Sequence, residues 1–154
     1  MLICQRIKDA GGFPYIVGGY VRDTLLGRDP KDVDIVVTGM TWAKLCEAFA
    51  GCEIKIVGNH FPVCLVDGIE IALARTEKKT GTGHTDFQVE TENVTLEQDL
   101  FRRDLRINAM AMQPFTDEIL DPFDGREDLE DGILLPVGPH FGEDPLRVLR
   151  AARF

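Results

Sequence analysis

The reading of the fold turns on Tyr15-Ile16-Val17-Gly18-Gly19-Tyr20-Val21-Arg22-Asp23 and, past Gly27 and the Asp29-Pro30 turn, on Asp32-Val33-Asp34-Ile35-Val36-Val37. Residues 15–17 are apolar and β-prone, Gly18-Gly19 interrupts them, and residues 21–26 have helical composition until Gly27. That pattern predicts strand, glycine turn, helix. Residues 33–37 predict a second strand, and Thr41 is the expected N-cap of a helix running to Phe49. Alternate residues of a strand share a face, so Asp32 and Asp34 project together, with Val33 and Ile35 on the other side. Two ionised carboxylates held that close repel. A hard divalent cation removes the repulsion, and Mg²⁺ commonly takes one or two carboxylates plus substrate phosphates. An Asp-x-Asp after a proline turn is equally the start of a solvated strand.

The glycine turn supplies the context. Glycines between strand and helix let the backbone approach a phosphate and turn helix N–H groups towards it. Gly19 is the nearer contact, and Arg22, one turn on, can fork across phosphate oxygens. A plain tight turn would use the same glycines. Together the two segments describe a triphosphate cradle facing a metal site. Glu70, beyond the Asp67-Gly68 hairpin signal, either completes a carboxylate cluster with Asp32 and Asp34 or is an exposed strand acid.

Outward from these residues, the chain of 154 residues is 44% hydrophobic and 28% charged, enough for one core. Seventeen Lys and Arg against 26 Asp and Glu leave a net charge of −9, which excludes a surface wholly given to nucleic acid; any polyanion is handled locally. Absence of a long apolar run and of a basic leader makes a cytoplasmic protein with no membrane partner the expectation. Cys4, Cys46, Cys52 and Cys64 never form Cys-x-x-Cys and read as reduced core residues. His60, His84 and His140 are far apart, no nucleophile elbow is present, and a hydrolytic triad is excluded.

Three β-rich runs, 53–57, 61–66 and 69–73, follow the Thr41 helix. The polar run 77–87 reads as a mobile loop, and Thr95 with Glu97 and Asp99 marks a helix start, with helix expected on through Arg102-Arg103-Asp104 to Ala111. Asp117-Glu118 reads as a hairpin, and residues 121–125 as a turn into a short helix around Asp128-Leu129. Trp42, Phe49 and Phe101 read as core aromatics. Residues 143–154 open with acids and Pro145 and carry no stop signal, so a helix continuing further is expected. In it Arg147, Arg150 and Arg153 recur every three residues as a cationic stripe, with Leu146, Leu149 and Ala152 alongside. The bland alternative pairs these arginines with Glu143, Asp144 or the acids of 127–131, and pairs Arg102-Arg103 with Asp99 within the helix.

Gly-Gly-Tyr-Val-Arg-Asp (18–23), Asp-Val-Asp (32–34), Leu-Ala-Arg-Thr-Glu (73–77), Arg-Arg-Asp (102–104) with Ile-Asn-Ala-Met-Ala (107–111), and the run 142–154 resemble, in order, the motifs of the tRNA nucleotidyltransferase (CCA-adding enzyme) and bacterial poly(A) polymerase family. The resemblance implies an α+β, polymerase-beta-like nucleotidyltransferase head domain with a small mixed sheet backed by helices. Residues 1–142 would form the head, and 143–154 the start of a helix leading into a neck domain. It implies Mg²⁺-dependent nucleotidyl transfer from CTP and ATP to the 3′ end of tRNA, with pyrophosphate released. Asp32 and Asp34 match the family's metal-binding aspartates. The nucleotide-holding positions fall on Gly18, Gly19, Arg22, Arg103, Asp104, Asn108, Asp144, Arg147, Arg150 and Arg153, and residues 78–84 resemble a flexible loop near the active site. Arg106 departs from the pattern, standing where Thr is common. The nearest rival is a poly(A) polymerase using ATP alone; a non-catalytic nucleotide- or RNA-binding module is the rival of another class. The run 72–85 resembles the proteobacterial CCA-adding type.

Overall fold

Strand β2 (Asp34–Thr38) shows how the sequence pattern becomes a layer. Ile35 and Val37 are buried in one cluster with Leu45, Phe49, Cys64 and Ile71, while Val36 is buried on the opposite face with Val17, Ala74, Leu100 and Ala109. A strand apolar on both faces belongs at the centre of a sheet covered from both sides. The computed structural model describes residues 2–51, 55–57, 62–79 and 87–154, and β2 is indeed central in it. It pairs antiparallel with β1 (Phe13–Val17) and parallel with β5 (Ile69–Leu73). Beyond β5 lie β4 (Val63–Val66) and β3 (Lys55–Val57), and beyond β1 lie the short β8 (Ala111–Met112) and β9 (Ile119–Leu120). The sheet is mixed, as expected. The β2–β5 pair is its one parallel pairing among the described strands.

Helices α1 (Leu2–Asp9) and α3 (Trp42–Ala48) cover one face through Cys4, Ile7 and Leu45. Burying each such aliphatic side chain is worth about 1.5–3 kcal/mol. Thr41 caps α3, its hydroxyl accepting from the Lys44 N–H at 3.4 Å. The other face receives α4 (Leu96–Phe101), capped by a full capping box between Thr95 and Gln98. Helix α2 (Gly19–Leu25) follows β1 directly, and Val21 inserts its side chain beside Met110 and Met112. Local turn chemistry is as read: Asp67 and Gly68 both take positive φ between β4 and β5, as does Asp117 before β9.

Several expectations give way. Helix does not run from Thr95 to Ala111. It stops at Phe101, and a short 3-10 helix over Arg106–Asn108 leads into β8. The stop has a distant and a local cause: Leu105 bridges Pro136, and Asp104 accepts the Leu105 N–H at 2.9 Å, a bond a continuing helix could not make. The stretch 77–87 is not wholly a loop, because β6 (Thr76–Lys79) and β7 (Phe87–Glu90) form an antiparallel ribbon. Residues 80–84 of the expected flexible segment, like His60 and Cys52, lie outside the described residues. Phe101 is 46% exposed, stacking at its edge with Phe123 and His140 rather than filling the core, whereas Phe49 is fully buried and Trp42 partly so. Cys4 and Cys64 are buried, as read, and Cys46 is half-buried. Helix α5 (Gly125–Asp131) and α6 (Leu146–Ala151) complete the chain, α6 preceded by the 3-10 turn Pro139–Glu143. No described helix is long and apolar enough to cross a membrane.

Candidate active site

Where β1 ends and β2 begins, the antiparallel register sets Val17 opposite Asp34. The glycine turn after Val17 and the carboxylate of Asp34 therefore meet at one edge of the sheet. Gly18 adopts φ 72°, a left-handed conformation only glycine holds without strain, and a Cβ there would stand 3.2 Å from Arg103 Nη1. Its N–H is spent on the Met110 carbonyl at 3.3 Å. The first N–H groups of α2, from Gly19 on, have no partner within the helix and are the ones left for an anion.

These residues border a cavity of about 540 Å³, lined on this side by Gly18, Gly19, Arg22 and Asp34. A second group of lining residues follows α4: Arg102, Arg103, Asp104 and Asn108. A third arrives with the chain around α6, as Asp144, Arg147 and Arg150 with the apolar Leu146 and Phe154. A larger cavity, about 880 Å³, lies beyond Arg102 and Arg147; Glu77, Glu97, Glu143 and His140 line it, but neither Asp34 nor the glycine turn does.

Polar contacts fix the cationic side chains. Arg22 donates from Nη1 to Asn108 Oδ1 at 2.7 Å and from Nε to Asp23 at 2.9 Å, and its guanidinium lies 4.9 Å above the Phe154 ring. Asn108 in turn donates to Asp104 Oδ1 at 3.3 Å, and Arg150 Nε reaches Asp104 Oδ2 at 2.7 Å. Burial opposes ionisation of Asp104, but the hydrogen bonds from Arg150, Leu105 N–H and Asn108 together with the Arg150 charge outweigh it and hold the carboxyl below its ordinary value. Asp104 and Asn108 are thus braces for Arg150 and Arg22; an anion at Asp104 would itself repel a phosphate. Arg147 donates to the carbonyls of Arg102 and Arg103, at 2.8 and 3.5 Å, rather than to the acids around it. Asp144 lines the cavity while its Oδ1 accepts the Leu146 N–H at 3.0 Å.

Asp34 carries a raised pKa. Desolvation by its surroundings pushes the carboxyl up, the Arg103 charge pulls it down, and the Asp32 charge pushes it up again. Among the described residues no group of three metal-type side chains converges. Carboxylate oxygens are hard donors that suit a divalent cation, and a cation at Asp34 would complete its shell with oxygens from a bound substrate. Asp32 precedes β2 rather than lying in it and does not line the cavity. Glu70 stands in parallel register beside Asp34 and projects to the same face of the sheet, but it is exposed, does not line the cavity and forms no group of three metal-type side chains among the described residues.

Arg153 is also left out. At 100° per residue, positions 147 and 153 are far apart around a helix, and α6 ends at Ala151, so Arg153 is exposed and away from the lining. Arg106 turns to Asp128 at 3.9 Å. Sequence reasoning overlooked Arg102, Leu146 and Phe154 as lining residues. Arg102 stands in the Arg-Arg-Asp motif, but its i, i+3 spacing from Asp99 names a partner and not a site.

A family model described as the poly A polymerase head domain matches residues 14–135. A multifunctional CCA protein of Nitrosococcus oceani is 52% identical over 143 residues, covering 91% of this chain and 34% of the relative. The structure of the Bacillus stearothermophilus CCA-adding enzyme in complex with CTP superposes with a TM-score of 0.76 at 34% identity, over 99% of this chain and 37% of that one. The Thermotoga maritima CCA-adding enzyme complexed with tRNA superposes with a TM-score of 0.70 at 30% identity, over 99% and 35%. The chain spans about a third of the length of these relatives. Glycine turn, opening aspartate and arginine wall stand within a fold and sequence shared with these proteins, and the chain belongs to the poly A polymerase head-domain family.

Proposed function

We propose that this chain is the catalytic head of a tRNA nucleotidyltransferase that adds CMP and AMP to a tRNA 3′ end and releases pyrophosphate. The observation that carries the reading is Asp34 at the mouth of a cavity bordered by the Gly18-Gly19 turn, Arg22 and Arg103. Relatives named as CCA proteins, and similar structures holding CTP or tRNA, support the choice of substrates. In this reading residues 1–142 are the head and residues 143–154 lead into a neck.

Arg22, braced by Asn108, and Arg103 bind the triphosphate oxygens, and the α2 N–H groups from Gly19 onward add donors without adding bulk. Arg150, held by Asp104, and Arg147 close the cavity from the α6 side. Asp32 and Asp34 would hold Mg²⁺, which when bound lowers the pKa of an attacking 3′-hydroxyl and neutralises charge on leaving pyrophosphate. The protein's own contribution is position and charge.

The test uses the full-length protein with tRNA lacking its 3′ CCA and each labelled triphosphate in turn. Incorporation of both CTP and ATP is expected. ATP alone would instead identify the poly(A) polymerase reading. Mg²⁺-dependent triphosphate binding without turnover would identify a non-catalytic module.

A further inference from the structure

We propose that Asp99, which lies outside the cavity, is a positioning residue for the triphosphate: it anchors the Arg103 guanidinium in the cavity and keeps it off Asp34. The inference rests on the nucleotidyl-transfer reading above.

Asp99 is fully buried on α4. Its Oδ1 accepts from the Arg75 backbone N–H at 3.1 Å and from Arg102 Nε and Nη2 at 3.0 and 2.9 Å, and its Oδ2 accepts from Arg103 Nη2 at 3.2 Å. Four donors saturate a carboxylate, so the charge is satisfied where it sits. Three of the four come from Arg75 and Arg102. Arg102 continues to Glu77 at 3.2 Å, and Glu77 to Arg75 Nε at 3.1 Å, tying the start of β6 to the end of α4. Asp99 is thus fixed from behind, independently of the residue it presents.

That residue is Arg103. One corner of its guanidinium is held by Asp99, Nη1 lies against the Gly18 turn, and Nε is buried with no hydrogen-bond partner among the described residues. A buried donor without a partner costs free energy until a ligand supplies an acceptor. Asp34 lines the same cavity as Arg103, and the two opposite charges act on each other. An arginine that collapsed onto Asp34 would remove a phosphate contact and occupy the carboxylate a cation needs. The negative charge behind Arg103 opposes that collapse. The forked guanidinium permits two engagements at once, Asp99 through one edge and the ligand through another, which a lysine ammonium does not reproduce.

The test measures equilibrium binding of CTP and ATP, and steady-state kinetics, in the full-length protein. Asp99→Asn is expected to raise the dissociation constant tenfold or more, equally for both nucleotides because Arg103 meets phosphate rather than base, and to raise KM more than it lowers kcat. In an Arg103→Ala background the same change is expected to matter less than twofold. An equal effect in both backgrounds makes Asp99 merely structural and overturns the proposal, as does no effect in the parent. Should Asp99→Asn fail to fold, Arg103→Lys decides: affinity falling as far as in Arg103→Ala supports the proposal, and parental affinity overturns it. Failure of the underlying reading looks different, since the unaltered protein would then bind no triphosphate, overturning both.

Discussion

The two sides of the cavity are built by opposite means. The side carrying Gly18, Gly19, Arg22 and Asp34 grows out of the sheet, rooted by the buried Val17, Val21, Ile35 and Val36. The α6 side has no buried residue at all. Leu149 is 67% exposed, and the helix is held to the head by Arg147 on two carbonyls and Arg150 on Asp104. One side is preorganised by packing, which salt leaves untouched; the other adheres by charge-assisted hydrogen bonds, which salt and single substitutions weaken. Chemistry that tolerates no misplacement belongs on the first, and groups that must release product belong on the second.

The largest effect is expected where the packed side meets the reaction. Asp32→Ala with Asp34→Ala in the full-length protein should cut nucleotide incorporation by about a thousandfold or more, roughly 4 kcal/mol of barrier, with no loss of melting temperature, because desolvation already works against the Asp34 charge. Near-parental incorporation would remove the packed side from the chemistry. Next comes the glycine turn. Gly18→Ala forces a side chain into positive φ and against Arg103, and should cost about 1–2 kcal/mol of stability and about tenfold in triphosphate affinity. Gly27→Ala shares the positive φ but meets nothing within 4 Å, so it should lose comparable stability and no affinity. A matched affinity loss in both would mean the turn acts only through strain.

A smaller effect separates the sides by pH. Burial pushes the Asp99 carboxyl up, but the Arg102 and Arg103 charges and the donated hydrogen bonds outweigh it, so its folded pKa lies below the ordinary value. A depressed carboxyl contributes stability that is fully present above the ordinary value of about 4 and is lost as pH falls through the folded one. The melting temperature should stay level from about pH 7 to 5 and fall below about 4. Asp99→Asn should start lower and fall less steeply. The smallest effect is that of Arg150→Ala. Arg150 is 58% exposed, so its pair with Asp104 is worth under about 1 kcal/mol. A few-fold loss of triphosphate affinity at low salt, vanishing at high salt, is the outcome that fits an adhesive helix.

What could be read in the sequence was what neighbours along the chain decide. The Thr41 and Thr95 caps, the positive-φ turns at Asp67-Gly68 and Asp117, and the strand–glycine–helix unit all rest on contacts a few residues apart. The readings that failed depended on distant partners. Helix propensity after Phe101 lost in part to the Leu105–Pro136 bridge, and the β6–β7 ribbon pairs Thr76 with Glu90. The site followed the same rule. Gly18, Arg22 and Asp34 stand on elements whose geometry is local, while the role of Asp99 is set by Arg75, more than twenty residues earlier, and its helical spacing to Arg103 suggested only an ordinary surface pair.

The parallel pairing of β2 with β5, the one such pairing among the described strands, governs how this domain tolerates insertion and deletion. Strands β2 and β5 are joined by a crossover containing α3, β3 and β4, so length changes at its turns leave the match of Asp34 with Glu70 and of Ile35 with Ile71 intact. Losing one residue inside β2 inverts every side chain beyond the lesion, exchanging the two apolar layers and swinging the opening aspartate to the wrong face. Length variation among such domains should therefore gather in the crossover and spare the five residues that carry the aspartate.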